Sequence, residues 1–335
     1  METLSLNRPR YKKYIKFLPL LVVPFLPLLL KNYTYGIMLL CFAQIYVIAT
    51  TGLDIVYGYT GQITFATSAF FGIGAYGSVL LRKYTAIPME LTILMATLLS
   101  ALIAMLFAYP VSKLRFAFLS LSTISFNYIF FYFITRSPGG ITGDFNGIFV
   151  ERLKLFGISF KESHHFFYFG LVCVIILVSL KMLLVRSRVG RAFLAIKQNV
   201  HAAEGMGINV RKYKVYAFGF YGAYVAFAGT LYAHFVGFIS PETFAEEQSV
   251  LYLIMAMFGG LGSDWGPVIG SVSIVWLNDI LGYFEKYQLL AYGILLILFI
   301  VFLPGGVVGE GKKLVAKINE LIKGAKNRKE VDAGA

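Results

Sequence analysis

The stretch "GLDIVYGYTGQITFATSAFFGIGAYGS", residues 52–78, lies between long apolar runs, yet Asp54, Gln62, Thr64, Thr67 and Ser68 stand where a lipid-facing helix would carry leucine. Polar groups turned toward hydrocarbon are costly, roughly 2.5–3.5 kcal/mol for a central Asp on insertion scales. They must therefore face protein or water. The interleaved glycines let neighbouring backbones approach closely. This reading puts Gly58, Gly61, Gln62, Thr64, Thr67 and Ser68 on a translocation path or an inter-span contact, and Asp54 near the end of its span or in an internal pair.

The rest of the chain has the composition of a membrane protein. Hydrophobic residues make up 58% and charged residues 14%, with a mean hydropathy of +0.73, outside the range of soluble domains. The expected fold is an all-α, polytopic transmembrane helical bundle. Apolar runs place spans at 17–30, 36–56, 63–81, 89–109, 117–135, 166–185, 215–237, 248–262, 267–284 and 288–303, about ten in all. The first is short: 14 residues rise ~21 Å against a ~30 Å hydrocarbon core. Pro19, Pro24 and Pro27 interrupt it, and Lys16 and Lys31 can lengthen it by snorkelling.

Charge distribution orients the bundle. Ten crossings put 22 of the 30 Lys and Arg on one face and 8 on the other, so the richer face is read as cytoplasmic. Residues 1–16 then form a basic cytoplasmic N-terminus, 17–303 the membrane domain, 186–214 a cytoplasmic loop, 136–165 an external loop, and 304–335 a basic cytoplasmic tail. The net charge of +13 is spread among loops beside spans, which suits anionic lipid and not nucleic acid. Cys41 and Cys173 sit in apolar runs and read as two small reduced core residues.

Common catalytic signatures are missing: there is no HExxH, CxxC or GxSxG. "GVVGEGKK", residues 306–313, has the Gly and Lys spacing of a Walker A loop, but Lys313 stands where a magnesium-binding hydroxyl is required. His164 and His165 have no carboxylate or cysteine in a ligand pattern, and no metal or cofactor bound by this chain is expected. Gly262, Gly266 and Gly270 fall at i, i+4 and i+8, one helical face. Gly259, Gly260, Asp264 and Pro267 make the crossing before them short and broken. Such breaks are tolerated where protein covers the backbone or it lines a watery path.

The loop 186–214 is helix-compatible over 190–204, with Phe193, Ile196, Val200 and Ala203 on one face and Gly205 and Gly207 ending it. That face suits docking into a partner's groove or lying on anionic lipid.

Five blocks, in order, carry a family resemblance: "GYTGQITFATSAFFGIGAYGS", "SRVGRAFLAIKQNVHAAEGMGI", "LYAHFVGFISPETF", "FGGLGSDWGPVIGS" and "FLPGGVVG". The chain resembles the LivM-type integral-membrane permease of branched-chain amino acid ABC importers, over roughly residues 52–309. It departs from that family at Ala66 and Thr67, where Gly-His is usual, and the 138–148 loop follows the family pattern loosely.

The resemblance implies a pore subunit without its own ATPase, in a prokaryotic cytoplasmic (inner) membrane with both termini inside. Its partners would be a second homologous permease, two cytoplasmic ABC ATPases binding ATP and magnesium, and an external substrate-binding protein. Gly190, Phe193, Ile196, Val200, Ala202, Ala203, Glu204 and Gly207 would belong to the ATPase coupling loop. Two further readings stay open: an ABC permease for urea, short amides or another small polar solute, and an ion-coupled secondary transporter working through Asp54, Asp264 and Asp279.

Overall fold

The computed structural model describes residues 34–114, 116–155, 157–160, 162–282, 290–291, 293–295, 297–298 and 305–311. The expected span 17–30 and the basic segment 1–16 lie outside the described residues, as does most of 304–335. Helix α1 (Thr34–Leu53) continues into a π-helical turn, Asp54–Gly58, and is followed by α2 (Thr67–Tyr84), α3 (Met89–Val111) and α4 (Phe116–Arg136). Then come α5 (Ser163–Arg186), two short helices α6 (Arg188–Gln198) and α7 (Val200–Gly205), α8 (Val210–Val236), α9 (Glu246–Gly259) and α10 (Gly266–Gly282).

Among the described residues, Thr34–Gly58, Met89–Val111, Ala117–Arg136 and Ser163–Arg186 are long and apolar enough to cross a membrane, and Gly266–Gly282 is a shorter apolar helix. On α3 the side chains of Leu91, Leu94, Leu98, Leu102 and Leu106 are exposed. That outward apolar stripe is the reverse of a water-soluble helix and suits a lipid contact.

Helix α8 sits at the centre, packed against α3, α2 and α1. It is 27 residues long, but Gly219, Gly222, Gly229 and several tyrosines dilute its hydropathy, because protein and not lipid surrounds it. Glycine sets the spacing. A Cβ at Gly74 of α2 would lie 2.6 Å from Ala226 Cα of α8, and one at Gly52 of α1 would lie 2.6 Å from Tyr224 Cβ. These crossings draw on backbone contact, since hydrophobicity contributes little between helices in lipid.

The expected span 63–81 is corrected. Residues 61–66 are non-helical and α2 begins only at Thr67. The segment is covered by protein: Gln62, Thr64 and Ala66 are buried, and Phe65 N donates to Thr123 Oγ1 at 3.0 Å. Irregular backbone inside a membrane protein requires such cover.

Two ribbons of two-residue strands add to the helical body. β1 (Ile148–Phe149) pairs antiparallel with β4 (Phe238–Ile239), and β2 (Lys154–Leu155) with β3 (Ile158–Ser159). The first fastens the 137–162 connection to the end of α8, and the second is a hairpin within that connection. The continuous helix expected over 190–204 is also corrected, because Asn199 adopts an extended conformation and caps α7, its Oδ1 accepting from Ala202 N at 3.1 Å.

Replacing Gly74 by Ala should force α2 and α8 apart and lower stability by ~1–3 kcal/mol, the usual cost of overpacking. Gly282→Ala, where a Cβ meets open space, should leave the unfolding midpoint of the detergent-extracted protein unchanged. Equal midpoints for the two variants would rule out glycine-limited packing at this crossing.

Candidate functional site

The π-helical turn at the end of α1 places Asp54 against α5. Lys181 Nζ lies 2.5 Å from Asp54 Oδ2, and both side chains are only 1% exposed. The ring of Tyr59 flanks the ammonium group, with Nζ 5.4 Å from its centroid. The pair also holds the turn between α9 and α10. Gly262 N donates to Asp54 Oδ1 at 2.6 Å, and Lys181 Nζ donates to Ser263 O at 2.9 Å. A buried ion pair offsets its desolvation only when such further hydrogen bonds are present.

Two glycines make this approach sterically possible. A Cβ on Gly58 would collide with the Asp54 carboxylate and lie 2.6 Å from Gly262 N. Gly262 itself has φ +72°, a left-handed conformation that glycine adopts without cost. Gly262 therefore lies in the turn and not on a common helical face with Gly266 and Gly270, which corrects the expected face. Gly270 packs closely on α9, where a Cβ would stand 3.0 Å from Gly259 N, and Gly266 packs beside Ser263.

A third contact reaches the same turn from α6. Lys197 Nζ donates to Gly58 O at 2.6 Å, one of the carbonyls a helix end leaves without a ladder partner. Gly61, with φ +73°, would place a Cβ 3.4 Å from Lys197 Cγ. Helix α6 is thus tied to the end of α1, which is tied in turn to α5 and the α9–α10 turn.

The hydroxyls of the 52–78 stretch form a second cluster deeper in the bundle. Ser68 Oγ donates to Asn127 Oδ1 of α4 at 2.8 Å, and Ser68 N donates to Ser249 Oγ of α9 at 2.9 Å. Ser249 Oγ and Ser68 Oγ lie 2.8 Å apart. Thr67 Oγ1 bonds Tyr221 OH at 2.9 Å, and Gln62 Nε2 donates to Thr60 Oγ1 at 2.7 Å. These side chains, with Thr64, are buried. Gln62 Oε1 and Asn127 Nδ2 have no partner among the described residues.

The stripe expected to dock a partner is used within the chain. Phe193, Ile196 and Ala203 are buried, at 0%, 2% and 1% exposure, and Ile196, Ala203 and Val210 form a small core flanked by Val200, Ile208 and Tyr213. Gly190 is equally enclosed, a Cβ there striking the Val185 backbone. Leu194, His201, Ala202, Glu204, Met206 and Gly207 are exposed. The described part of the Walker-like segment, 306–311, is helical, unlike a phosphate-binding loop.

Sequence reading missed Lys181, counted as loop-flanking although a single cation inside an apolar run is itself an intramembrane signal. It also missed Lys197 at the Gly58 carbonyl and Asn127, Tyr221 and Ser249 at the hydroxyl cluster, all brought there only by folding.

Removing one member of the Asp54–Lys181 pair, by Asp54→Leu or Lys181→Met, should destabilise the protein by ~3–5 kcal/mol, because the other charge stays buried alone. The double variant should recover most of that loss. Thermal unfolding of the extracted proteins measures it, and a double variant as unstable as the sum of the two would overturn the pairing.

Residues 36–303 match the family model described as branched-chain amino acid transport system / permease component. The chain is similar to the high-affinity branched-chain amino acid transport system permease protein LivM of Salmonella typhimurium and to that of Escherichia coli. Each is 29% identical over 289 residues, 79% of this chain and 68% of the relative. A shorter similarity, 26% identity over 117 residues, links 33% of the chain to 32% of the autoinducer 2 import system permease protein LsrC of Yersinia enterocolitica. No solved structure matches. With the family model covering most of the chain, this protein belongs to the family of branched-chain amino acid transport system permease components.

Proposed function

We propose that this chain is a pore-forming permease subunit of an ATP-driven ABC importer that moves branched-chain amino acids into the cell. The observation that carries the reading is the family match over 36–303. It is supported by the substrate named for the LivM relatives. The importer would combine this chain with a second, homologous permease, two cytoplasmic ATPases and an external binding protein. The bundle is read with about ten spans, with the α6–α7 end cytoplasmic and the β-ribbon end external, as the Lys and Arg distribution favours.

The exposed side of α6–α7, with Leu194, His201, Ala202 and Met206, would contact an ATPase, while Phe193, Ile196 and Ala203 hold the element to its own chain. Motion of α6 would then reach the membrane helices through Lys197 and the Gly58 carbonyl. Such a link transmits a change only if its contacts differ between two states. The ion-coupled reading loses support because Asp54 is already paired with Lys181 and Asp279 accepts from Tyr35 OH.

Reconstituted with these partners, the chain should take up leucine only with ATP inside and loaded binding protein outside. Uptake that persists with a hydrolysis-dead ATPase would overturn the proposal. In the same vesicles Lys197→Met should lower uptake at least tenfold per ATP hydrolysed, and Lys197→Arg should restore most of it. An unchanged ratio of uptake to hydrolysis would remove Lys197 from the coupling route.

A further inference from the structure

A cavity of about 570 Å³ opens at the end of the bundle opposite α6–α7, where the last turn of α2, the segment entering β1 and the end of α8 meet. Its wall combines Arg82, Lys83, Glu151 and His234 with apolar Val79 and Val150. His234 is 1% exposed. Its Nδ1 lies 2.8 Å from the Glu151 carbonyl oxygen, which can only accept, so Nδ1 donates to it, and in that tautomer of the neutral ring Nε2 is an acceptor. Nε2 is buried and has no partner among the described residues. A buried acceptor in this condition is unfavourable until a donor arrives.

The charges around it are of both signs, and two of them are paired. Arg82 Nε donates to Glu151 Oε2 at 3.0 Å and Arg82 Nη1 to Ile87 O at 3.0 Å, so the guanidinium is fixed at the rim. The Glu151 side chain is 65% exposed and keeps acceptor capacity beyond its bond to Arg82. Lys83 is exposed, its Nζ 5.5 Å from the ring of Tyr84. The wall thus offers a cationic part for an anion, two acceptors for an ammonium group, and an apolar patch.

We infer that this cavity is a binding site for the zwitterionic backbone of a free α-amino acid, held at the outer mouth of the permease. The α-ammonium donates to His234 Nε2 and the Glu151 carboxylate, the α-carboxylate meets Lys83 and Arg82, and a branched aliphatic side chain covers Val79 and Val150. A solute with one charge alone leaves either the acceptors or the cations unmatched, and such a mismatch is what discriminates between ligands in a site with buried polar groups. The inference rests on the proposed transport of branched-chain amino acids and adds a site on the permease itself, apart from any binding protein.

The test is equilibrium binding of radiolabelled L-leucine to the purified importer complex in lipid nanodiscs, without binding protein or nucleotide. Saturable binding is expected. It should be displaced by isoleucine and valine, and not by leucinamide, which lacks the carboxylate, or by 4-methyl-2-oxopentanoate, which lacks the ammonium. His234→Leu and the surface variant Lys83→Ala should each weaken it at least tenfold, with Lys154→Ala unchanged. Absence of saturable binding, displacement by leucinamide as effective as by leucine, or full affinity in the Lys83→Ala complex would overturn the inference. A complex that takes up leucine with ATP and loaded binding protein but binds none alone would overturn this site and leave the proposed transport standing. One that takes up no branched-chain amino acid would remove that transport first.

Discussion

The buried contact between Asp54 and Lys181 is the constraint on which the α6–α7 end of the bundle depends. Two charges at 1% exposure are tolerable only when each is paired and further hydrogen-bonded. Gly262 N and Ser263 O supply those bonds. The requirement propagates outward: the α9–α10 turn must approach α1, Gly58 and Gly262 must lack side chains, and α1 must end in a π turn that aims Asp54 at α5. Lys197 adds α6 to the same assembly through the Gly58 carbonyl.

A second constraint runs through the middle of the molecule. Helix α8 lies close enough to α1, α2 and α3 that glycine backbones replace side chains at the crossings. The non-helical segment 61–66 fits beside it because Thr123, Tyr221, Asn127 and Ser249 supply hydrogen bonds to this segment and the start of α2. This explains the mixture of glycine and hydroxyl residues in 52–78. Glycine permits contact and hydroxyls satisfy the polar groups that contact desolvates.

The two ends of the bundle carry different chemistry. At one, charges are paired and enclosed, which suits a mechanical connection. At the other, Arg82, Lys83, Glu151 and His234 line a cavity, which suits recognition of a solute. An importer of the proposed kind needs both, because solute must be received on one side while the driving motion arrives from the other.

The sequence by itself determined the membrane class, the position of most apolar helices, the exceptional character of residues 52–78 and the family, since hydropathy and block order are properties of single residues and their neighbours. It also narrowed Asp54 to an end position or an internal pair. Only the tertiary structure decided that the partner is Lys181, 127 residues away, that Gly262 turns out of the helix, and that Phe193, Ile196 and Ala203 face their own chain. A periodic apolar stripe specifies that a face will be buried, but not against what. The partner depends on which backbone positions the helix crossings bring together, and that depends on the whole chain at once.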